Sequence, residues 1–208
     1  MLLPAWQKIL NSLSNFGSLS AFVFLDKDGD GEFNGEDEPL KDVVVSAPQN
    51  GRRQTTDENG VALFSRMLKL RLTDVFLEKD TLQDPVWIPG FEGVSILPRE
   101  GYVANVNFPV HMSGELDGVV YAQKAGEAAP VPVRNIPLAL YNDQGELEKK
   151  VSSDGSGFYY FAQIPPGRYL LVIDSDAAQA KNLIRPQPQK IEIGYDGNIE
   201  ITYNTLYK

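Results

Sequence analysis

The chain has 208 residues, 42% apolar and 23% charged, with 19 basic against 28 acidic residues and a formal net charge of -9. This is globular composition, long enough for two domains of about a hundred residues, and its acidic balance argues against a nucleic-acid partner, which requires a basic face. The absence of cysteine and the presence of a single histidine, His111, exclude disulfides, thiolate metal sites, cysteine nucleophiles and most imidazole-based acid–base mechanisms.

No apolar run approaches the roughly 18 to 20 residues needed to span a bilayer, and the first residues lack the basic and apolar regions of a signal peptide. Residues 1–17 read as a short N-terminal segment, helical or irregular. Trp6, Ile9, Leu10, Leu13 and Phe16 recur at three and four residues, Pro4 suits a first helical turn, and Gly17 suits a stop.

From Ser18 onward the texture is β, with short alternating runs broken by Gly, Pro, Asp and Asn. Strands are expected at 19–25, 43–47, 61–64, 71–77 and 102–108. After His111 the pattern restarts, with strands expected at 116–121, 136–141, 157–161, 168–173, 190–193 and 198–203. The last two are joined through Tyr195-Asp-Gly, a strong hairpin signal.

The loop after the first strand holds the one constellation with chemistry in it. Between Asp26 and Glu38 lie seven acids (Asp26, Asp28, Asp30, Glu32, Glu36, Asp37 and Glu38) and one base, Lys27, a local charge of -6. Such density is unfavourable unless a cation sits among the acids. Asp26, Asp28 and Asp30 occupy positions one, three and five of a calcium loop, Gly31 the sharp turn at six, Glu32 the backbone carbonyl at seven and Asn34 position nine. The closing ligand at or near position twelve is Asp37, or after a one-residue shift Glu36 or Glu38. The expected ion is Ca2+, in a structural role that ties the first strand to Val43–Val45. In the second half residues 122–130 take the place of this loop, so one calcium-dependent and one calcium-free domain are expected.

The two halves are similar to one another. Gly17-Ser-Leu-Ser matches Gly114-Glu-Leu-Asp, and Thr56-Asp-Glu-Asn-Gly60 matches Ser153-Asp-Gly-Ser-Gly157, each glycine about 43 residues past its opening one. The reading is a tandem duplication: an all-β chain of two immunoglobulin-like or transthyretin-like β-sandwiches, with residues 18–110 the calcium-loop domain and 111–208 the second.

Gly157-Phe-Tyr-Tyr-Phe-Ala-Gln-Ile-Pro-Pro-Gly-Arg-Tyr169 resembles the Gly-x-Tyr-x-Phe and Pro-Pro-Gly-x-Tyr signature of carboxypeptidase regulatory-like (transthyretin-like) and collagen-adhesin B-type domains. The first half is similar to the B domains of serine-aspartate-repeat surface proteins in its opening strand, its acidic loop and its Thr56-Asp57, Gly60 and Phe64 turn. It departs at Ala62, where that family has an aromatic, and at Ser65-Arg-Met-Leu-Lys-Leu70, which replaces the Pro-Pro-Gly turn. In the second strand pair Tyr159, Phe161, Tyr169, Leu171 and Ile173 are expected on one core face.

Other residues offer less. His111 reads as a linker or interface residue, and Trp87, between prolines, as packing over a sandwich end. Phe158 and Tyr160 face outward. A lysine–asparagine isopeptide crosslink of the kind adhesin B-type domains carry would fall to Lys124 and Asn204. There is no nucleophile elbow, phosphate loop, zinc-protease motif or complete dinucleotide fingerprint.

The expected function is therefore non-catalytic. The chain reads as a stalk, spacer or adhesive module of a bacterial exported surface protein, in an extracytoplasmic setting and part of a larger polypeptide or assembly. Two alternatives stand beside it: an accessory domain pair of an outer-membrane secretion or assembly protein, and a carbohydrate-binding module using Trp87 or the outward tyrosines with opposed carboxylates.

Overall fold

The computed structural model describes residues 16–123, 129–184 and 186–202. The chain divides into two compact units, Met1–His111 and Met112–Lys208, and each is a β-sandwich.

The first unit opens with β1 (Phe16–Leu25), so Phe16 and Gly17 begin a strand, earlier than the sequence pattern places it. Alternation puts Leu19, Ala21 and Val23 on one face, where none has any exposed surface. The strands β2 (Glu38–Pro39), β3 (Val44–Ala47), β4 (Arg52–Thr55), β5 (Val61–Leu68), β6 (Thr73–Leu77), β7 (Trp87–Pro89), β8 (Val94–Ile96) and β9 (Val103–Met112) follow. One sheet runs β2-β1-β9-β7, with β5 also paired to β1; the other runs β4-β3-β6-β8. β1 and β9 are parallel, from Ser18 against Val103 to Leu25 against Val110. The inward residues Phe64, Phe108, Val45 and Val75 are at most 1% exposed. Burying a side chain of this size stabilises the fold by about 1.5–3 kcal/mol.

The second unit comprises β10 (Gly114–Val119), β11 (Tyr121–Ala122), β12 (Val131–Pro132), β13 (Pro137–Asn142), β14 (Leu147–Ser152), β15 (Phe158–Ile164), β16 (Gly167–Ile173), α1 (Ser175–Ala180), β17 (Gln189–Ile193) and β18 (Ile199–Thr202). β10 pairs with β15, β11 with β12, and the rest form a five-stranded sheet in the order β14-β13-β16-β17-β18. Leu116, Leu138, Leu140, Phe161, Ile164 and Ile191 form its core, and Tyr159, Tyr169, Leu171 and Ile173 join it, as the alternation predicts. Tyr159 meets Phe161 edge-on at 6.0 Å. The Asp196-Gly197 turn closes the β17–β18 hairpin, with Gly194 N–H donating to Asn198 O at 2.9 Å.

The duplication extends to irregularities. In the first unit the register slips between Gly17 and Leu19 of β1, opposite Met67 and Phe64; in the second it slips between Gly114 and Leu116 of β10, opposite Ile164 and Phe161. The bulge puts a non-glycine residue at positive φ in each copy, Arg66 at 58° and Gln163 at 49°. Gly60 (φ 74°) presses against β1, and Gly157 (φ 80°) against Val120 between β10 and β11. A Cβ on them would meet Val23 O at 2.5 Å and Val120 O at 2.8 Å, so only glycine fits.

Three differences from the sequence pattern have physical causes. The strand expected from Arg71 begins at Thr73, because Leu70 takes positive φ (56°) in the turn before it. β14, Leu-Glu-Lys-Lys-Val-Ser, has polar composition and forms because its hairpin with β13 satisfies its backbone. α1 was not expected; Asp174 caps it, accepting from Ala177 N–H at 2.9 Å. Residues 1–15, Lys124, Tyr203 and Asn204 lie outside the described residues, and with them the expected N-terminal helix and the crosslink pair.

Candidate metal centre in the loop after the first strand

β1 delivers Asp26 to the end of the sandwich, where its N–H donates to Val110 O of β9 at 2.8 Å and its side chain is fully enclosed. The chain then turns back to β2. Gly31, at φ 76° with no atom within 4 Å of a Cβ position, supplies the left-handed conformation of the turn; its constraint is conformational, not steric.

The first three acids meet. Asp26, Asp28 and Asp30 place carboxylate oxygens within 4.8 Å of one another, and no other such group occurs among the described residues. Asp26 is 1% exposed, and Asp28 and Asp30 are open to solvent. Asp26 Oδ1 accepts from Gly29 N–H at 2.7 Å and Oδ2 from Gly31 N–H at 3.0 Å. Asp28 accepts from Asp30 N–H at 3.2 Å, and Asp30 from Glu32 N–H at 2.7 Å. Asn34 Nδ2 donates to Asp30 Oδ2 at 2.8 Å and to the Glu32 carbonyl at 3.2 Å, which brings both into the same arc.

The three candidates for closing the loop are placed differently. Asp37 spans its base, accepting from Lys27 N–H at 2.9 Å and Asn34 N–H at 3.0 Å. Glu38 lies in β2 opposite Leu25 and pairs with Lys27 Nζ at 2.6 Å. Glu36 is exposed. None of the three belongs to the cluster that Asp26, Asp28 and Asp30 form.

Burial pushes the Asp26 carboxyl up, but the Gly29 and Gly31 amides and the His111 ring outweigh it and hold the group below the usual carboxylate range. His111 is the contact that sequence reasoning missed. Its Nε2 lies 3.2 Å from Asp26 Oδ2, from 85 residues away, and only the parallel pairing of β9 with β1 brings it there. Phe33, at the loop's crest, stands edge-on to Phe22 (5.0 Å) and Phe24 (5.6 Å), fastening the loop to the outer face of β1.

The donor set is oxygen-rich and contains no sulfur, which suits a hard divalent cation such as Ca2+ and not a soft one. Elsewhere, Trp87 is half-buried in β7, an edge strand beside β9, while Phe158 and Tyr160 are 39% and 43% exposed. A polar cleft in the second unit is lined by Glu148, Arg168, Tyr169, Glu192 and Tyr195 and includes neither Phe158 nor Tyr160. No helix among the described residues is long and apolar enough to cross a membrane.

No family model matches the chain, and no curated protein matches it. Among solved structures it is similar to GBS52, the minor pilin of Streptococcus agalactiae, at 14% identity and a TM-score of 0.41, with 91% of each chain covered. It is similar to the Bacillus anthracis TIE protein at 20% identity and a TM-score of 0.36, covering 88% of this chain but only 32% of that one. A streptococcal ancillary pilin matches at 13% identity and a TM-score of 0.36, over 87% of this chain and 59% of the other. None of these likenesses assigns an activity.

Proposed function

We propose that the chain is a non-catalytic structural or adhesive module of a bacterial exported surface protein, its first sandwich rigidified by Ca2+ in the loop Asp26–Glu38. The observation that carries the calcium reading is the convergence of Asp26, Asp28 and Asp30 within 4.8 Å at a strand end, inside a stretch of charge -6. Asp26, Asp28 and Asp30 would hold the ion with the Glu32 carbonyl and Asn34, and Glu36, Asp37 or Glu38 would complete the shell. When bound, the ion supplies charge neutralisation and a crosslink across the loop. Asp26 carries that constraint into β1 and, through its N–H, into β9; Phe33 carries it to the outer face of β1. An extracytoplasmic setting, where calcium is plentiful, suits an open site of this kind, whose affinity in extracellular modules is about 10⁻⁴–10⁻³ M. The resemblance of the first half to serine-aspartate-repeat B domains and of the second to carboxypeptidase regulatory-like or collagen-adhesin B-type domains supports the same setting.

The test is a calorimetric melt with calcium and with chelator, joined to titration calorimetry. A ligand that binds the folded state stabilises it by about 2.7 kcal/mol at a hundredfold excess over its Kd. The expected result is one site per chain and a rise in one transition only, both lost in Asp28→Ala/Asp30→Ala. If no heat is released and neither transition moves, the loop is a solvated acidic turn and the calcium reading fails.

A further inference from the structure

The end of the first unit remote from the acidic loop, where β1 and β9 begin and β5 ends, combines exposed aliphatic side chains with bases. β5 runs out through Arg66-Met-Leu-Lys-Leu-Arg-Leu72, in which basic and apolar residues interleave. Met67 is buried, but Leu68, Leu70 and Leu72 are 43%, 72% and 62% exposed. Leu70 N–H donates to Pro98 O at 3.0 Å, and Thr73 pairs with Ile96, which sets exposed Leu97 beside them. Tyr102, 60% exposed, ends the neighbouring turn, its N–H bonded to Arg99 O. Single exposed leucines are ordinary, but five large apolar side chains gathered at one end of a small sandwich mark a contact surface. The fold does not require them: at the equivalent turn the second unit has Pro165-Pro166-Gly167, none of which is highly exposed.

The charge around this surface opposes that of the whole chain. Arg66, Lys69, Arg71 and Arg99 surround it, and Arg52 borders it, donating to Ser65 O at 2.5 Å. The acids nearby are Glu100, paired with Lys69 at 3.0 Å, and Asp74, held by Gln49 and Ser95. Five bases against two acids in a chain of net charge -9 select an anionic partner. A second copy of the same end would bring like charges together. Aliphatic tips discriminate further, because a nucleic acid rewards bases and aromatic rings, whereas a bilayer boundary accepts leucine side chains beneath phosphate headgroups. Residues 1–15, which lead into this end, contain no acid and one base, Lys8.

The geometry points to docking of this end on an anionic lipid surface, with Leu70 and Leu72 entering the headgroup boundary and Lys69, Arg71 and Arg99 meeting lipid phosphates. The inference is independent of the calcium reading. It is tested by cosedimentation of the full chain with vesicles of phosphatidylcholine alone and with phosphatidylglycerol added, at low and high salt. The expected result is binding to the phosphatidylglycerol vesicles that high salt weakens. Leu70→Ser/Leu72→Ser and, separately, Lys69→Glu/Arg71→Glu each reduce it by about tenfold or more, with both melting transitions unchanged. Leu70, Arg71 and Leu72 are exposed and Lys69 is half-buried in a surface pair with Glu100 that contributes little to stability, so the charge pair serves as the second variant should the leucine pair lower the melting point. Absence of binding to phosphatidylglycerol vesicles overturns the inference. So does binding that survives both pairs, which would belong to residues 1–15 or another face. Binding that needs the bases but not the leucines would indicate a soluble polyanion, and a dimer dissolved by Leu70→Ser/Leu72→Ser would assign the end to a second copy; either result overturns the lipid reading.

Discussion

The crossing that leaves the first strand of each unit is framed alike and filled differently. In the first unit Phe24 and Leu25 pair with Pro39 and Glu38; in the second Tyr121 and Ala122 pair with Pro132 and Val131. Leu40 N–H donates to Val23 O, and Val133 N–H to Val120 O, at 2.9 and 2.8 Å. A buried hydroxyl then locks each return. Thr56 Oγ1 donates to Leu40 O and accepts from Val43 N–H, and Ser153 Oγ donates to Val133 O and accepts from Ile136 N–H, all within 3.0 Å. The contacts that the two crossings share all lie outside the segment that differs. The interior of the loop is therefore free to vary, and in the first unit it carries the acids of the candidate calcium site.

The comparison breaks most readily in the core. Phe64 and Phe161 occupy equivalent positions, each at most 1% exposed, so Phe64→Ala and Phe161→Ala should each cost about 3–5 kcal/mol. Differential calorimetry should show each lowering its own transition; one substitution lowering both equally would mean the units do not unfold separately. Removing the lock, by Thr56→Val or Ser153→Ala, leaves a buried N–H and a carbonyl without their hydroxyl partner. It should cost about 1–3 kcal/mol in either unit by denaturant unfolding.

Two finer experiments separate the copies. Phe33→Ala removes two edge-on ring contacts that have no counterpart among the described residues of the second unit, and should lower the first transition by about 1–2 kcal/mol while leaving the second in place. Tyr169 belongs to the second unit alone. Burial pushes its hydroxyl up to about 12, assisted by Glu148, Asp143 and Tyr195, and it donates to Pro165 O at 2.9 Å. A raised pKa means that its contribution is complete below the ordinary tyrosine value near 10 and is lost as pH rises through 12. Ultraviolet titration should show a late-ionising tyrosine that is lost in Tyr169→Phe, and the second transition should fall first in alkali.

The smallest effect is expected where the copies agree best. Asp57 accepts from Val61 and Asn59 N–H, Asp154 from the Ser156 hydroxyl and from Ser156 and Phe158 N–H, and both carboxyls are held below their usual range by those bonds. For a depressed carboxyl the contribution is present above the ordinary value near 3.8 and is lost as pH falls through the folded one. Acid melts should show Asp57→Asn and Asp154→Asn flattening the acid dependence of their own transitions to a similar degree.

How far the sequence could be read depended on the range of the interaction. Asp26, Asp28 and Asp30 were legible as a group because alternate residues in a tight turn converge whatever surrounds them, and the structure brings them together. The face shared by Tyr159, Phe161, Tyr169 and Leu171 was legible because strand alternation has a period of two. β14, with Lys149 and Lys150 at its centre, was not, because nothing in Leu147–Ser152 announces a strand except the partner it pairs with. Arg66-Met-Leu-Lys-Leu-Arg-Leu72 could be recognised as a departure from the Pro-Pro-Gly turn, but not as an exposed end, since that depends on where Pro98 and Leu97 come to lie.

The sequence by itself determined the all-β texture, the duplication and the acidic loop, because each is written in spacings of a few residues or in a repeated local pattern. Only the tertiary structure decided that His111 stands against Asp26, that Phe33 folds onto β1, and that the leucines of one end stay in solvent among bases. Each of these requires strands distant along the chain to be set side by side. Pairing register is a property of the assembled sheet, fixed by the burial of many side chains at once and not by any local run of residues.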